Sequence, residues 1–412
     1  MNVGFIGLGK LGLPCALAVE SKGHSVVGYD ISDSVKEIVR SKKLPYKEIW
    51  AQDHLDNSNI EIKSVEDVVS HSEIIFVPIQ TPHDERYEGT TKIPDDRVDF
   101  NYDWLKAGIK TLADEIEKQG NDKVVIIIST VLPGTIEREI KPLLGSHTKL
   151  CYNPFFIAMG TTMRDFLNPE YVLFGVDDDE AAEKAQSLYS SLHDRPFYKT
   201  TIKNAELIKV AYNTFIGMKI VYANTMMEIC HKIGADVDAV TGAMALAKER
   251  LISGNYLSGG MGDGGGCHPR DNIAMSWLAR ELDLSHDFFE DLMLAREHQT
   301  EWLADLIEDE QMYNSPIYIL GKSFKPETNI QTGSPSILLK NILDERGVDC
   351  EIYDPYVDDS NDYNFQQGVY FIGTKHPDFN DFNFPKGSII LDPWRYITDV
   401  DGCDVIGIGH NG

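Results

Sequence analysis

Residues 2–30 read NVGFIGLGKLGLPCALAVESKGHSVVGYD. Residues 2–6 are a short apolar run that reads as a strand. Gly7, Gly9 and Gly12 follow in the frame G-x-G-x-x-G and lead into LPCALAVESKG, which has helical spacing and stops at Gly23. The run HSVVGYD is then a second strand closing on Asp30. Strand, glycine loop, helix, strand and terminal acid within about thirty residues form the dinucleotide-binding arrangement. The glycines let backbone N–H groups approach a pyrophosphate at the helix N-terminus. Asp30 would accept hydrogen bonds from the adenine-ribose hydroxyls. Its charge would repel a 2′-phosphate, which favours NAD over NADP.

Outward from this stretch the alternation continues. EIIFVPI (73–79) is a buried strand ending in Gln80, Thr81 and Pro82, and KVVIIIST (123–130) is another. Thr81 and Thr130 stand either at ligand-facing strand ends or at helix N-caps. Residues 84–102 are polar and contain proline, and read as a surface loop before a helix over 103–118. KLCYNP (149–154) and YVLFGV (171–176) complete an NAD-binding domain over 1–200. From Lys203 a pattern of helical period without proline runs to Gly234. On it Lys209 and Asn213 are i,i+4 and share a face, either solvated or lining a cleft; Lys219 lies elsewhere. A second amphipathic helical region fills 272–307, within a central helical domain over 201–308. SPIYILGKSFKPE (315–327) then opens a third, α/β domain over 309–412. The expected class is α/β, with two Rossmann-like doubly wound domains joined by a long central helix. Gly321 stands alone, so no second NAD is expected.

The chain has 412 residues, 42% of them hydrophobic, and a formal net charge of −27. Such an acidic chain suits neither nucleic acid nor an anionic membrane surface. No apolar run reaches a membrane span, and the amino terminus reads as a strand rather than a signal peptide; a cytoplasmic protein is expected. Six cysteines are scattered without CxxC spacing, so neither a metal site nor a disulfide framework is indicated.

The stretch GDGGGCHPRD, residues 262–271, sets Cys267 behind three glycines and ahead of proline, arginine and aspartate. Arg270 or a helix start nearby would favour the thiolate, the nucleophilic form. The alternative is a tight loop around an inert thiol. His268 reads as a surface histidine.

Taken together, the motifs resemble the UDP-glucose/GDP-mannose dehydrogenase family over nearly the whole chain. Its G-x-G-G-x-C-x-P-K-D is matched by Gly262, Gly264, Gly265, Cys267, Pro269, Arg270 (for Lys) and Asp271. Thr81–Pro82, Ser129–Thr130, the helix pattern from Ala205 to Asn213, and Leu320 to Pro326 match further motifs. The resemblance implies a four-electron, NAD-dependent oxidation of a nucleotide sugar's C6 alcohol, with UDP-glucose as the expected substrate. Cys267 would carry thiohemiacetal and thioester, Lys209 would stabilise the oxyanion, Asn213 would orient the sugar, and Asp271 with Thr130 would manage an ordered water. Arg250, Tyr256, Gly264 and Lys325 would contact substrate, and a homodimer would form along the long helix.

Three departures stand out. The family's two glutamates after the fifth strand are Phe155 and Met159 here. An anion-binding arginine is Thr332, and His268 follows the cysteine. GDP-mannose or a UDP-N-acetylhexosamine could replace UDP-glucose. A single-oxidation β-hydroxyacid dehydrogenase would use the same Lys-x-x-x-Asn helix without a cysteine. A catalytically inactive nucleotide-sugar-binding protein is the third reading.

Overall fold

The structure is a computed structural model. It describes residues 1–248, 256, 258–262, 265–281, 287–311 and 315–409, apart from the side chains of Thr225 and Ile229. The chain divides into two compact units. The first comprises Met1–Pro82 and Phe100–Ala211, the second His83–Asp99 and Tyr212–Gly412.

The first unit is built on β1 (Asn2–Ile6), β2 (Ser25–Tyr29), β3 (Glu61–Ile62), β4 (Ile74–Val77), β5 (Lys123–Ile127), β6 (Thr148–Tyr152), β7 (Val172–Val176) and β8 (Phe197–Thr200). They form one sheet in the order β3-β2-β1-β4-β5-β6-β7-β8. The first six follow the doubly wound dinucleotide order, reversing at β1 and β4, and the ligand crevice lies at that switch point. β1 after Asn2 and all of β4 are buried and without polar side chains, because helices cover both faces of a parallel sheet. Phe5 stacks on Phe76 at 4.9 Å inside this core. Burial of each such ring contributes about 2–3 kcal/mol.

The parallel rhythm breaks once, where β7 pairs antiparallel with β6. The helix between them, Thr162–Leu167, has six residues and spans about 9 Å. The five residues of β6 span about 17 Å. β7 enters from the end where β6 leaves.

The second unit holds β9 (Ile317–Leu320), β10 (Glu351–Tyr353), β11 (Val369–Ile372), β12 (Ile389–Asp392) and β13 (Asp404–Gly407). All neighbours are parallel, in the order β10-β9-β11-β12-β13. That is a second doubly wound sheet, as expected. Helices Cys267–Glu281 and Phe288–Glu310 stand where one amphipathic region was read. The helix Ile202–Ile233 begins in the first unit and enters the second at Tyr212.

Residues 84–102 depart from the surface-loop expectation. Tyr87, Phe100 and Tyr102 are buried, and His83–Asp99 belongs to the second unit. Tyr87 packs with Ile273 and Met293, flanked by Ile93 and Val98. The segment is polar in composition and its few buried residues follow no period, so no local pattern announces their burial. No helix among the described residues is long and apolar enough to cross a membrane, and no metal-ligating cluster occurs among them.

Candidate active site

In the first unit the glycine loop has the form a dinucleotide needs. Gly7 has φ +113°, a left-handed value open to glycine. At Gly12 a Cβ would stand 2.2 Å from the Gly7 carbonyl oxygen, so the helix Gly12–Ser21 can start this close only without a side chain. At Gly9 a Cβ would meet nothing within 4 Å, which leaves an open cradle before that helix start. Asp30 is buried; its Oδ2 accepts from Leu8 N–H at 2.7 Å and its Oδ1 from Ser32 N–H at 2.8 Å. The same carboxylate that would meet a ribose therefore also ties the glycine loop to the end of β2. Each carboxylate oxygen keeps a second lone pair for a hydroxyl. These residues fit a pyrophosphate and ribose.

The ends of β4 and β5 are tied side by side. Thr81 Oγ1 donates to the Thr130 carbonyl at 2.7 Å, so Thr81 is not a helix cap. Ser129 Oγ donates to the Ile79 carbonyl. Just beyond, fully buried Glu206 accepts from Gly134 N–H at 2.6 Å and Ile136 N–H at 2.7 Å. Burial pushes its carboxyl up, against the pull of those N–H groups. The sequence contained no signal for this role, because a glutamate on a long helix ordinarily faces water.

Lys209 is buried, with Nζ 5.5 Å from the centre of the Phe156 ring. Phe155, where the resembling family has glutamate, packs on Phe166 at 5.2 Å against the main core. A carboxylate there would lie in apolar surroundings. Met159 Sδ lies 4.0 Å from Thr162 Oγ1, which donates at 3.0 Å to Oε2 of buried Glu48; the same oxygen accepts from Gly160 N–H at 2.9 Å.

The second unit holds the cysteine. Cys267 is exposed, whereas Cys15, Cys151, Cys230 and Cys350 are buried and Cys403 is half-buried. It is the first residue of the helix Cys267–Glu281, where the partial positive charge of the helix start favours an anion. The loop before it is seated against the segment after β9. Gly265 has φ +117°, and a Cβ there would stand 2.6 Å from the Phe324 ring. Gly333, at φ +73°, backs onto Gly266 N at 2.1 Å from its own would-be Cβ. Thr332, at the position of the missing arginine, is the neighbour of Gly266.

One turn after the cysteine, Asp271 is fully buried and both its oxygens are engaged. Oδ1 accepts from Arg270 Nε and Nη2 at 2.8 Å, and Oδ2 accepts from Asn213 Nδ2 at 2.5 Å. The helix Ile202–Ile233 thus presents Asn213 to the cysteine helix. Gly217, one turn on, lets Asn272 approach, with Nδ2 3.0 Å from its would-be Cβ. Asn224 donates to the Gly262 carbonyl at 3.1 Å and accepts from Gly260 N–H at 3.0 Å. This clamp carried no sequence signal, because nothing local sets a buried asparagine on a long helix apart from a solvated one. His268 is buried rather than on the surface. Its carbonyl accepts from Asn272 Nδ2 at 2.8 Å, and the turn is packed towards Gly217.

Lys325 is half-buried, with Nζ 5.6 Å from the Phe324 ring centre. Tyr256 is exposed with φ +64°. Arg250 and Gly264 lie outside the described residues.

Residues 1–193 match the NAD binding domain of the UDP-glucose/GDP-mannose dehydrogenase family, and residues 203–296 match its central domain. The chain belongs to that family. Members of it are NAD-dependent nucleotide-sugar dehydrogenases, so the enzyme class is oxidoreductase and the cofactor is NAD. The UDP-glucose 6-dehydrogenase AglM of Haloferax volcanii is 25% identical over 98% of this chain and 99% of its own. The GDP-mannose 6-dehydrogenase of Pseudomonas aeruginosa is 25% identical over 87% of this chain and 82% of its own. The fold is that of a UDP-glucose dehydrogenase from Pyrobaculum islandicum, with TM-score 0.85, 24% identity, and coverage of 100% of this chain and 98% of that one.

Proposed function

We propose that this family member oxidises the C6 alcohol of UDP-glucose to the carboxylate of UDP-glucuronate, through a covalent intermediate on Cys267. The observation that carries the reading is the placement of Cys267: an exposed thiol at a helix start, one turn before a buried Asp271 that is bound to Asn213. A single-oxidation dehydrogenase has no use for such a thiol.

Gly7, Gly9, Gly12 and Asp30 would hold the cofactor, with Thr81 and Thr130 at the neighbouring strand ends. Bound NAD supplies the hydride acceptor for both oxidations. Lys209, a buried cation, stabilises the oxygen of the reacting carbonyl as negative charge develops. Cys267 Sγ adds to the aldehyde carbon to give a thiohemiacetal, which on the second oxidation becomes a thioester. Asn213 keeps one amide N–H and its carbonyl oxygen after binding Asp271, and these orient the sugar. Asp271 fixes Asn213 and Arg270. Arg250, Tyr256, Gly264 and Lys325 are assigned to the nucleotide sugar, and a homodimer to the long helix. The lysine-like Arg270 after Cys-x-Pro supports the UDP-glucose/GDP-mannose branch over N-acetylhexosamine substrates. GDP-mannose is the second reading, supported by the name of the Pseudomonas aeruginosa relative.

Purified enzyme with NAD and either UDP-glucose or GDP-mannose tests this by counting NADH against sugar consumed. Two NADH per UDP-glucose are expected, with turnover abolished in Cys267→Ala. One NADH per sugar, with Cys267→Ala fully active, would refute the covalent route. Preference for GDP-mannose would move the substrate and leave the chemistry.

A further inference from the structure

Release of an acid from a thioester needs water, and that water must lose a proton as its oxygen bonds to the carbonyl carbon. The positions at which the resembling family carries glutamate are Phe155 and Met159, and neither side chain accepts a proton. Asp271 takes two bonds from Arg270 at Oδ1 and one from Asn213 at Oδ2, which leaves it a single lone pair. A further base is therefore sought near the cysteine helix.

We propose that His83 is the proton acceptor for the water that releases product from Cys267. This rests on the thioester reading above. The Nε2 of His83 is buried and makes no hydrogen bond among the described residues. A buried polar atom without a partner calls for a functional explanation. The charged groups around His83 are Arg270 and Asp271 from the cysteine helix and Asp84 from its own segment. Cys267 and Asp271 are one helical turn apart, about 5–6 Å between Cβ atoms.

The segment carrying His83 is held firmly to the helix of the cysteine. A Cβ on Gly89 would stand 2.6 Å from the Pro269 ring. Arg296 Nη2 donates to the Gly89 carbonyl at 2.6 Å, and Arg97 Nη2 donates to Glu290 at 2.8 Å. Ile93 N–H donates to Glu297. Histidine needs such a frame, because a base must be aimed to within hydrogen-bond reach.

Burial, and then the Arg270 guanidinium, push the His83 imidazole down to about 4, against the pull of Asp271 and Asp84. The ring is therefore neutral near pH 7, with a proton affinity close to that of an ordinary glutamate. Acceptance at Nε2 places the ring's own proton on Nδ1. In the step, water oxygen bonds to the thioester carbon and one water proton passes to Nε2. The C–S bond then breaks, and its electron pair leaves on Sγ as thiolate. The products are the carboxylic acid, the thiolate and imidazolium, which balance the neutral thioester, water and imidazole.

His83→Gln is measured with NAD and whichever of UDP-glucose and GDP-mannose the wild type turns over faster. The expected result is a normal burst of two NADH per site and a steady-state rate lower by about 10²-fold or more. Intact-mass measurement should then find the sugar-nucleotide acyl adduct on Cys267. Free imidazole should restore part of the rate to His83→Gly. If His83→Gln does not bind NAD as the wild type does, His83→Asn replaces it. A steady-state rate within twofold of wild type overturns the proposal, and so does a burst that slows as much as the steady state. Loss of turnover in Cys267→Ala alongside an unaffected His83→Gln defeats the histidine alone. Two NADH per sugar from Cys267→Ala, or no NADH from either sugar with wild type, defeats the thioester reading and this one with it.

Discussion

At the scale of single residues, buried carboxylates do most of the organising. Asp30 holds the glycine loop through Leu8, Asp271 gathers Arg270 and Asn213, and Glu206 caps the backbone after β5. Asp354 does the same at the switch point of the second sheet. It is fully buried, accepts from the N–H groups of Lys322 and Ser323 at 2.8 Å, and lies 3.0 Å from His376 Nε2. His376 Nδ1 faces Glu327 N–H at 3.1 Å, so it accepts there and Nε2 donates to Asp354. Burial pushes Asp354 up, but the hydrogen bond from His376 and the backbone N–H groups outweigh it and bring it to about 2. A carboxyl held below its unfolded value stabilises the fold above about pH 4, and that contribution is lost as pH falls towards 2. Asp354→Asn should therefore lower Tm by several degrees at pH 7, as removal of one buried partner does. The gap to wild type should narrow between about pH 4 and pH 2. A gap that stays constant across that range would show that the charge is irrelevant. The sequence pointed to Asp30, Asn213 and Asp271 by motif and spacing. It did not point to Glu206, Asn224 or His83, because nothing local distinguishes a buried polar side chain from a solvated one.

Among the elements, the two loops that matter are shaped by what they are pressed against. Glycines let a backbone pass close to a bound molecule, and at 265–266 packing supplies a cause of its own. Gly265 and Gly266 lie on Phe324, Thr332 and Gly333, so the cysteine loop is seated on the segment after β9. Arg395 braces the same loop, donating to the Gly259 carbonyl at 2.8 Å and pairing with Asp238. Gly265→Ala combines a left-handed φ with a Cβ 2.6 Å from an aromatic ring. It should cost about 1–3 kcal/mol and displace Cys267. Turnover should fall at least tenfold while the affinity for NAD, measured by titration, stays within about twofold. An equal loss of NAD affinity would mean that the variant is globally unfolded. Elements with a clear period were legible: the helix read to Gly234 is Ile202–Ile233, and the helix read over 103–118 is Asp103–Gln119. The reversal of β7 was not, since strand direction is set by the path of the chain between strands rather than by the strand's own residues.

For the molecule as a whole, the net charge of −27 is a cost to compactness, because like charges repel across both units. The Debye length falls from about 10 Å at 0.1 M salt to about 3 Å at 1 M. Tm should therefore rise by several degrees as sodium chloride goes from about 0.1 M to 1 M, with activity following. A flat or falling Tm in calorimetry would mean that local pairs already cancel the field. Surface pairs such as Lys110–Asp114 and Lys386–Asp401 weaken over the same range, but exposed pairs are worth little individually.

The NAD unit could be read directly from residues 2–30, and the glycine-framed cysteine loop from 262–271, because both are local. A glycine frame, a strand closing on an acid and a cysteine behind glycines specify backbone conformations within a few residues of themselves. Folding alone brought Asn213 to Asp271 across 58 residues, buried His268, and set the His83 segment beside the cysteine helix. Those contacts come from the fit between faces distant in the chain, and no short spacing encodes such a fit.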